Sequence, residues 1–143
     1  MILSAQQLFS DDQAITANAD STNVIDLGVA GTPYGAAAAL NADVGKGAKV
    51  PILIQITEAF NNLTSIEVRI STGTAATLGT TIASEVILLT DAVVGKQMVI
   101  NVLPDQITER YLGIEYVVVG VAPTTGRITA GITMGVQTNV NGA

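Results

Sequence analysis

From residue 50 onward the chain repeatedly sets an aliphatic residue at every second position. This period of two constrains its fold more than any other feature. Residues 50–57 read Val-Pro-Ile-Leu-Ile-Gln-Ile-Thr, so Ile52, Ile54 and Ile56 share one face of a strand. Pro51 lacks an N–H and belongs at the start of that strand or on an edge. Residues 65–71 alternate with Ile66, Val68 and Ile70 inward and Glu67 and Arg69 outward. Residues 97–103 put Met98, Ile100 and Val102 on one side and Gln97, Val99 and Asn101 on the other, and Pro104 closes the run. The clearest pattern covers residues 127–137. There Ile128, Ala130, Ile132, Met134 and Val136 are expected inward, and Thr129, Gly131, Thr133, Gly135 and Gln137 outward. Residues 85–89 form a compact aliphatic strand, and residues 111–119 alternate less strictly, in a pattern compatible with apolar residues on both faces.

The segments between these runs are made of turn residues. Residues 14–17 and 24–27 are strand-compatible and flank the turn-like Asn18-Ala19-Asp20-Ser21. Residues 71–77 and 78–81 are small, polar and loop-like, and residues 28–49, rich in Gly, Ala and Asn, are expected to form a long crossing loop. The four alanines at 36–39 lie between Gly35 and Asn41 and leave room for only one helical turn. About eight strands result, with no crossover helix of the dozen residues that a parallel βαβ unit requires. The expected fold class is all-β: a sandwich, jelly roll or barrel of antiparallel strands. With 143 residues, the chain has material for one core. Residues 1–12 are expected to form a short N-terminal arm, ending in the polar turn Ser10-Asp11-Asp12, and residues 13–143 a single β-sandwich domain.

The composition removes most chemistry. Without Cys or His the chain offers no zinc site of the usual kind, no disulfide, and no Ser-His-Asp or Cys-His arrangement. Carboxylates remain the only acid/base groups, and neither Asp11-Asp12 nor Glu109 with Glu115 suggests a groove. Asp11, Asp12, Asp20 and Asp43 lie in expected loops, but not at calcium-loop spacing, and Gly28-Val29-Ala30-Gly31 lacks the pattern of a phosphate loop. No enzyme activity, metal or cofactor is therefore expected. Twelve acidic residues against six basic ones give a net charge of −6, which disfavours nucleic acid as a partner. No apolar run reaches the length of a membrane span, and the first residues lack a secretory pattern, so the expectation is a soluble protein made in the cytoplasm.

Two places invite a partner. Leu8 and Phe9 are too apolar for a free tail, and the arm that holds them and Leu3 packs either on its own core or on a neighbouring molecule. Arg110 follows Glu109 at a strand entry, where it either forms a solvated strand cap or reaches a neighbour's carboxylate.

The opening Ile2-Leu3-Ser4-Ala5-Gln6-Gln7-Leu8-Phe9-Ser10-Asp11-Asp12-Gln13-Ala14-Ile15-Thr16, followed by residues 21–28, resembles the tailed-phage capsid cement proteins of the kind found in a Bordetella podovirus. Glu109-Arg110-Tyr111-Leu112-Gly113-Ile114-Glu115-Tyr116 and residues 126–132 are similar to the closing strands of that family. The resemblance runs over essentially the whole chain. It implies a jelly-roll protein on the outer surface of an HK97-like shell in the virion, clamping neighbouring major capsid subunits as a homodimer or homotrimer. It also implies that the opening segment and the long loops make the lattice contacts, so Tyr34 joins Leu3, Leu8, Phe9 and Arg110 as an expected interface residue. It brings no catalytic residue. The alternatives are a β-sandwich binding module of a tail or cell surface, for which the five dispersed aromatics are few, and a small carboxylate enzyme.

Overall fold

Every alternating run becomes a strand in the computed structural model, which describes residues 3–29, 31 and 49–134. The strands are β1 (Leu8–Ala14), β2 (Ala19–Asp20), β3 (Ile25–Asp26), β4 (Val50–Glu58), β5 (Leu63–Gly73), β6 (Thr80–Leu88), β7 (Gln97–Val102), β8 (Tyr111–Gly120) and β9 (Arg127–Ile132). Most of the expected loop at 28–49, with Tyr34 and Asp43, lies outside the described residues, as do residues 135–137 of the last run.

Two antiparallel sheets result, a four-stranded one in the order β1-β9-β4-β7 and a five-stranded one in the order β2-β8-β5-β6, with β3 also on β8. The pairs nest. β5 pairs with β6, β4 with β7, β2 and β3 with β8, and β1 with β9, so each successive pair encloses the one before it in chain order. The inward residues of both sheets meet in one core. Ile52, Ile54, Ile56, Ile100 and Ile128 come from the first sheet and Ile66, Val68, Ile70, Leu112 and Ile114 from the second. The arrangement is all-β and consistent with a β-sandwich. Because most of its members are β-branched or small, the core fills its space by layering rather than by aromatic bulk.

The inward assignments for β4, β5 and β7 hold, since the residues named above are buried or, for Met98, packed against the core. At the end of β9 the period of two stops. Ile128 and Ala130 are fully buried and Ile132 packs against the core, but Met134, expected inward, is fully exposed, and Thr133, expected outward, is buried. β9 ends at Ile132, the Thr133 amide bonds the Pro51 carbonyl, and Met134 lies beyond the strand, where the period of two no longer sets its side.

Three local expectations also change. The Ser10-Asp11-Asp12 turn lies within β1, where two register shifts absorb it. Asp12 takes a left-handed φ of 47°, and its amide donates to Thr129 Oγ1 while its carboxylate accepts from Thr57 Oγ1 and Arg127. β1 ends at Ala14, so the strand expected over 14–17 sits earlier in the chain, and Ala19–Asp20, expected in a turn, pairs with β8 instead. Thr80 and Thr81, expected in a loop, extend β6, because the hairpin closes farther out and brings Leu78 over Gly113. A β-carbon on Gly113 would stand 2.7 Å from a Leu78 methyl and 3.0 Å from a Val24 methyl, so a larger residue there would make these side chains shift.

The two long sides of the molecule differ. At β1 the sheets are joined by hydrogen bonds. Asn23 donates from its side chain to the Leu8 carbonyl and from its backbone to the Phe9 carbonyl, and Gln13 bridges the Asp20 carbonyl and the Thr22 amide. In the interior Ser10 Oγ donates to Gln13 Oε1 at 2.7 Å, so its contact of 2.8 Å with the buried Tyr116 hydroxyl is one in which Tyr116 donates. The opposite side presents β6 and β7, each hydrogen-bonded as a strand on one edge only among the described residues.

Candidate interaction surface

The outer face of the five-stranded sheet is built by β6, β5 and β8 side by side. Cross-strand register sets Leu88, Ser65 and Val119 in one row, Val86, Glu67 and Val117 in the next, and Ser84, Arg69 and Glu115 in a third. Ile87, Ile66 and Tyr116 point the other way into the core, so the period of two sends these rows outward. Val86 and Leu88 are each 54% exposed and Val119 is 46% exposed. Ser65 is buried between its two larger neighbours, so at this end of the face Leu88 and Val119 flank a serine and Val86 and Val117 flank Glu67. Val121, just past β8, is also exposed.

The other half of the face is polar and internally paired. Arg69 donates to Glu67 at 2.8 Å, and that hydrogen bond holds the Glu67 carboxyl below its ordinary range while raising the Arg69 guanidinium. Ser71 donates to Glu115 at 2.6 Å and, with its proton so committed, accepts from Thr81 Oγ1 at 3.2 Å. Among the described residues the resolved carboxyl shifts, at Asp12, Asp26 and Glu67, all run downward through hydrogen bonds. Such groups are ionised acceptors rather than protonated acids. No three metal-ligating side chains gather among the described residues. A shallow cleft beside the end of β8 is lined by Ala17, Asn18, Val118, Gly120 and Ala122, and carries no charged group.

The structure places four of the five residues expected at an interface. Leu3 is half-buried ahead of a short 3-10 turn, Ala5–Gln7, and Leu8 is half-buried at the start of β1 over Gly131. Phe9 is a core residue: at the bulge between Leu8 and Ser10 in β1 it is fully buried and unavailable to a partner within this fold. Arg110 has found its carboxylate within the chain. Its Nε and Nη2 each reach Asp26 at 2.6 Å in a two-pronged pair, and the guanidinium lies 4.9 Å over the Tyr111 ring. Tyr34 lies outside the described residues.

Val86, Leu88, Val117 and Val119 were not among those candidates. Their signal was present in the runs at 85–89 and 117–119, which are apolar on both faces. In a two-layer fold a strand has one inward face, so apolar residues on its second face lack cover among the described residues.

Residues 9–132 match the family model Bbp16. A search of the curated proteins finds no match.

Proposed function

The chain belongs to the Bbp16 family, a membership consistent with a phage structural or accessory protein, and from that premise we propose that it is a capsid cement protein. It binds the outer surface of an HK97-like phage shell and clamps neighbouring major capsid subunits, acting as a homo-oligomer in the virion. The observation that carries the reading is the set of exposed aliphatic side chains Val86, Leu88 and Val119 on a sheet face whose charged groups are paired. A sheet face suits a partner that is itself a wall, and the proposed role requires neither catalysis nor a cofactor, nucleic acid or membrane.

The strand order supports a jelly roll for this role. If β2 and β3 are two halves of one interrupted strand, the nested pairs are those of a long four-pair hairpin rolled across two sheets. Each half-exposed aliphatic side chain has roughly 1 kcal/mol still to gain from burial, which is modest for one contact. Repetition over a lattice multiplies it. A partner that binds assembled shells but not dissociated subunits stabilises the shell by mass action, and linked contacts add avidity.

The test is to add the purified protein to shells lacking it, follow their rupture temperature, and locate the added density by cryo-electron microscopy. Saturating protein should raise the rupture temperature, and Leu88→Asp should reduce capture without unfolding the domain. A chain that does not bind shells, or binds without stabilising them, overturns the reading.

A further inference from the structure

Hydrogen bonds pair the charged groups on the outer face of the five-stranded sheet without neutralising them. β2 extends the row of Ser84, Arg69 and Glu115 by one position, since Asp20 stands opposite Glu115 in register. Ala19 packs against the core, so the period of two sends Asp20 to the outer face, where it is exposed. Glu67 lies on the same face, one row nearer the aliphatic end. Asp20, Glu67 and Glu115 thus share a single guanidinium. Arg69 gives its hydrogen bond to Glu67 and acts on Glu115 only through space. Glu115 is held by a neutral donor, the Ser71 hydroxyl. Arg110, just before β8, is taken by Asp26.

Like charges directly opposite one another on neighbouring strands destabilise a sheet, with β-carbons about 5 Å apart. The Asp20–Glu115 pair therefore costs the free chain stability, and a cation brought from outside relieves that cost. Along β8 the pair stands about 13 Å from the exposed Val119, at the rise of an extended strand. An anionic spot and an aliphatic one are held at fixed spacing on one sheet face.

We propose that this face docks a basic protein surface, one that sets a lysine or arginine between Asp20 and Glu115 and aliphatic side chains against Leu88 and Val119. This rests on the preceding section for the partner being the shell, and adds the chemistry that the shell must present. The aliphatic contacts supply buried area, while the charges set orientation and speed of encounter, because complementary potentials steer association and like ones slow it. A second copy of this chain fits poorly, since its net charge is −6 and the same face set against itself brings carboxylates together. Arg69 works against the docking, and its removal leaves the face more anionic.

The test is the rate at which shells lacking the protein capture it, measured against salt. Asp20→Asn and Glu115→Gln keep side-chain size, and the glutamine oxygen can still accept from Ser71. At low salt each should slow capture about threefold, and Arg69→Gln should speed it by a similar factor. Raising sodium chloride from about 0.05 M to about 0.5 M should slow the wild type about tenfold and bring the four proteins together, because screening shortens the reach of the field. Asp11→Asn, which removes an exposed charge from β1 in the other sheet, should stay within about 1.5-fold of the wild type. Circular dichroism confirms that each variant is folded. Capture that ignores salt, Asp20 and Glu115 variants that bind at the wild-type rate, or Asp11→Asn slowing capture as much as they do, overturns this proposal and leaves the cement reading standing. So does slower capture of Arg69→Gln, since the partner surface would then be acidic. A wild-type chain that shells do not capture at any salt overturns both.

Discussion

Removing either partner of the Ser10–Tyr116 hydrogen bond should cost very different amounts. The two oxygens stand 2.8 Å apart between β1 and β8, and each residue is 1% exposed, so bulk water cannot replace a lost partner. Tyr116→Phe leaves Ser10 donating to Gln13 and removes one ordinary hydrogen bond, at a cost of about 1 kcal/mol. Ser10→Ala leaves the phenol hydroxyl buried without an acceptor, at a cost of about 2–3 kcal/mol. Gln13 Oε1 still accepts from the Thr22 amide, so the penalty falls on Tyr116. The double variant has no orphaned hydroxyl and should lie near the tyrosine variant, giving a coupling of roughly 2–3 kcal/mol. Urea unfolding of the four proteins, with equal dependence on denaturant, measures the cycle. If Ser10→Ala costs no more than Tyr116→Phe, or the two effects add, the hydroxyl is not isolated as described. The same burial raises the Tyr116 phenol above its ordinary value. The group's stabilising contribution is then full below the unfolded phenol value near pH 10 and is lost as pH rises above it, and Tyr116→Phe should remove that part of the alkaline loss.

Asp26 should titrate at about 2, held down first by its hydrogen bond from Arg110 and then by the Gly28 amide. Its contribution to stability is present above the usual carboxyl range and falls as pH drops through about 2; carboxyl NMR of the wild type and Arg110→Gln checks this, with the midpoint rising in the variant. Ile128→Asp places an unpaired charge in the core and should abolish folding, whereas Met134→Asp, six residues on at a fully exposed position, should change stability by less than about 0.5 kcal/mol in a thermal melt.

Alternation is a local property, and where neighbours on both sides keep a strand extended it identifies the buried face from the residues alone. Ile52, Ile54 and Ile56, or Ile66, Val68 and Ile70, needed no knowledge of what they pack against. Where pairing lapses, as after Ile132, the same reading sends Met134 the wrong way, because backbone hydrogen bonding and not residue type maintains the period. Arg110 could be recognised as seeking a carboxylate, but its partner is Asp26, far away in sequence on β3. Phe9 was legible as apolar, and whether it served the core or a neighbour depended on the bulged pairing of β1 with β9.

By itself, then, the sequence determined the strand character of this chain, the inward residues of its regular strands, and the absence of thiol and imidazole chemistry. Those follow from covalent structure and a repeat of two residues. Tertiary structure decided which strands lie at the rim, which edges are covered, and which aliphatic side chains remain without cover. These depend on pairing between segments far apart in the chain: Val86 and Val119 come to share one outer face only because β6 and β8 both pair with β5.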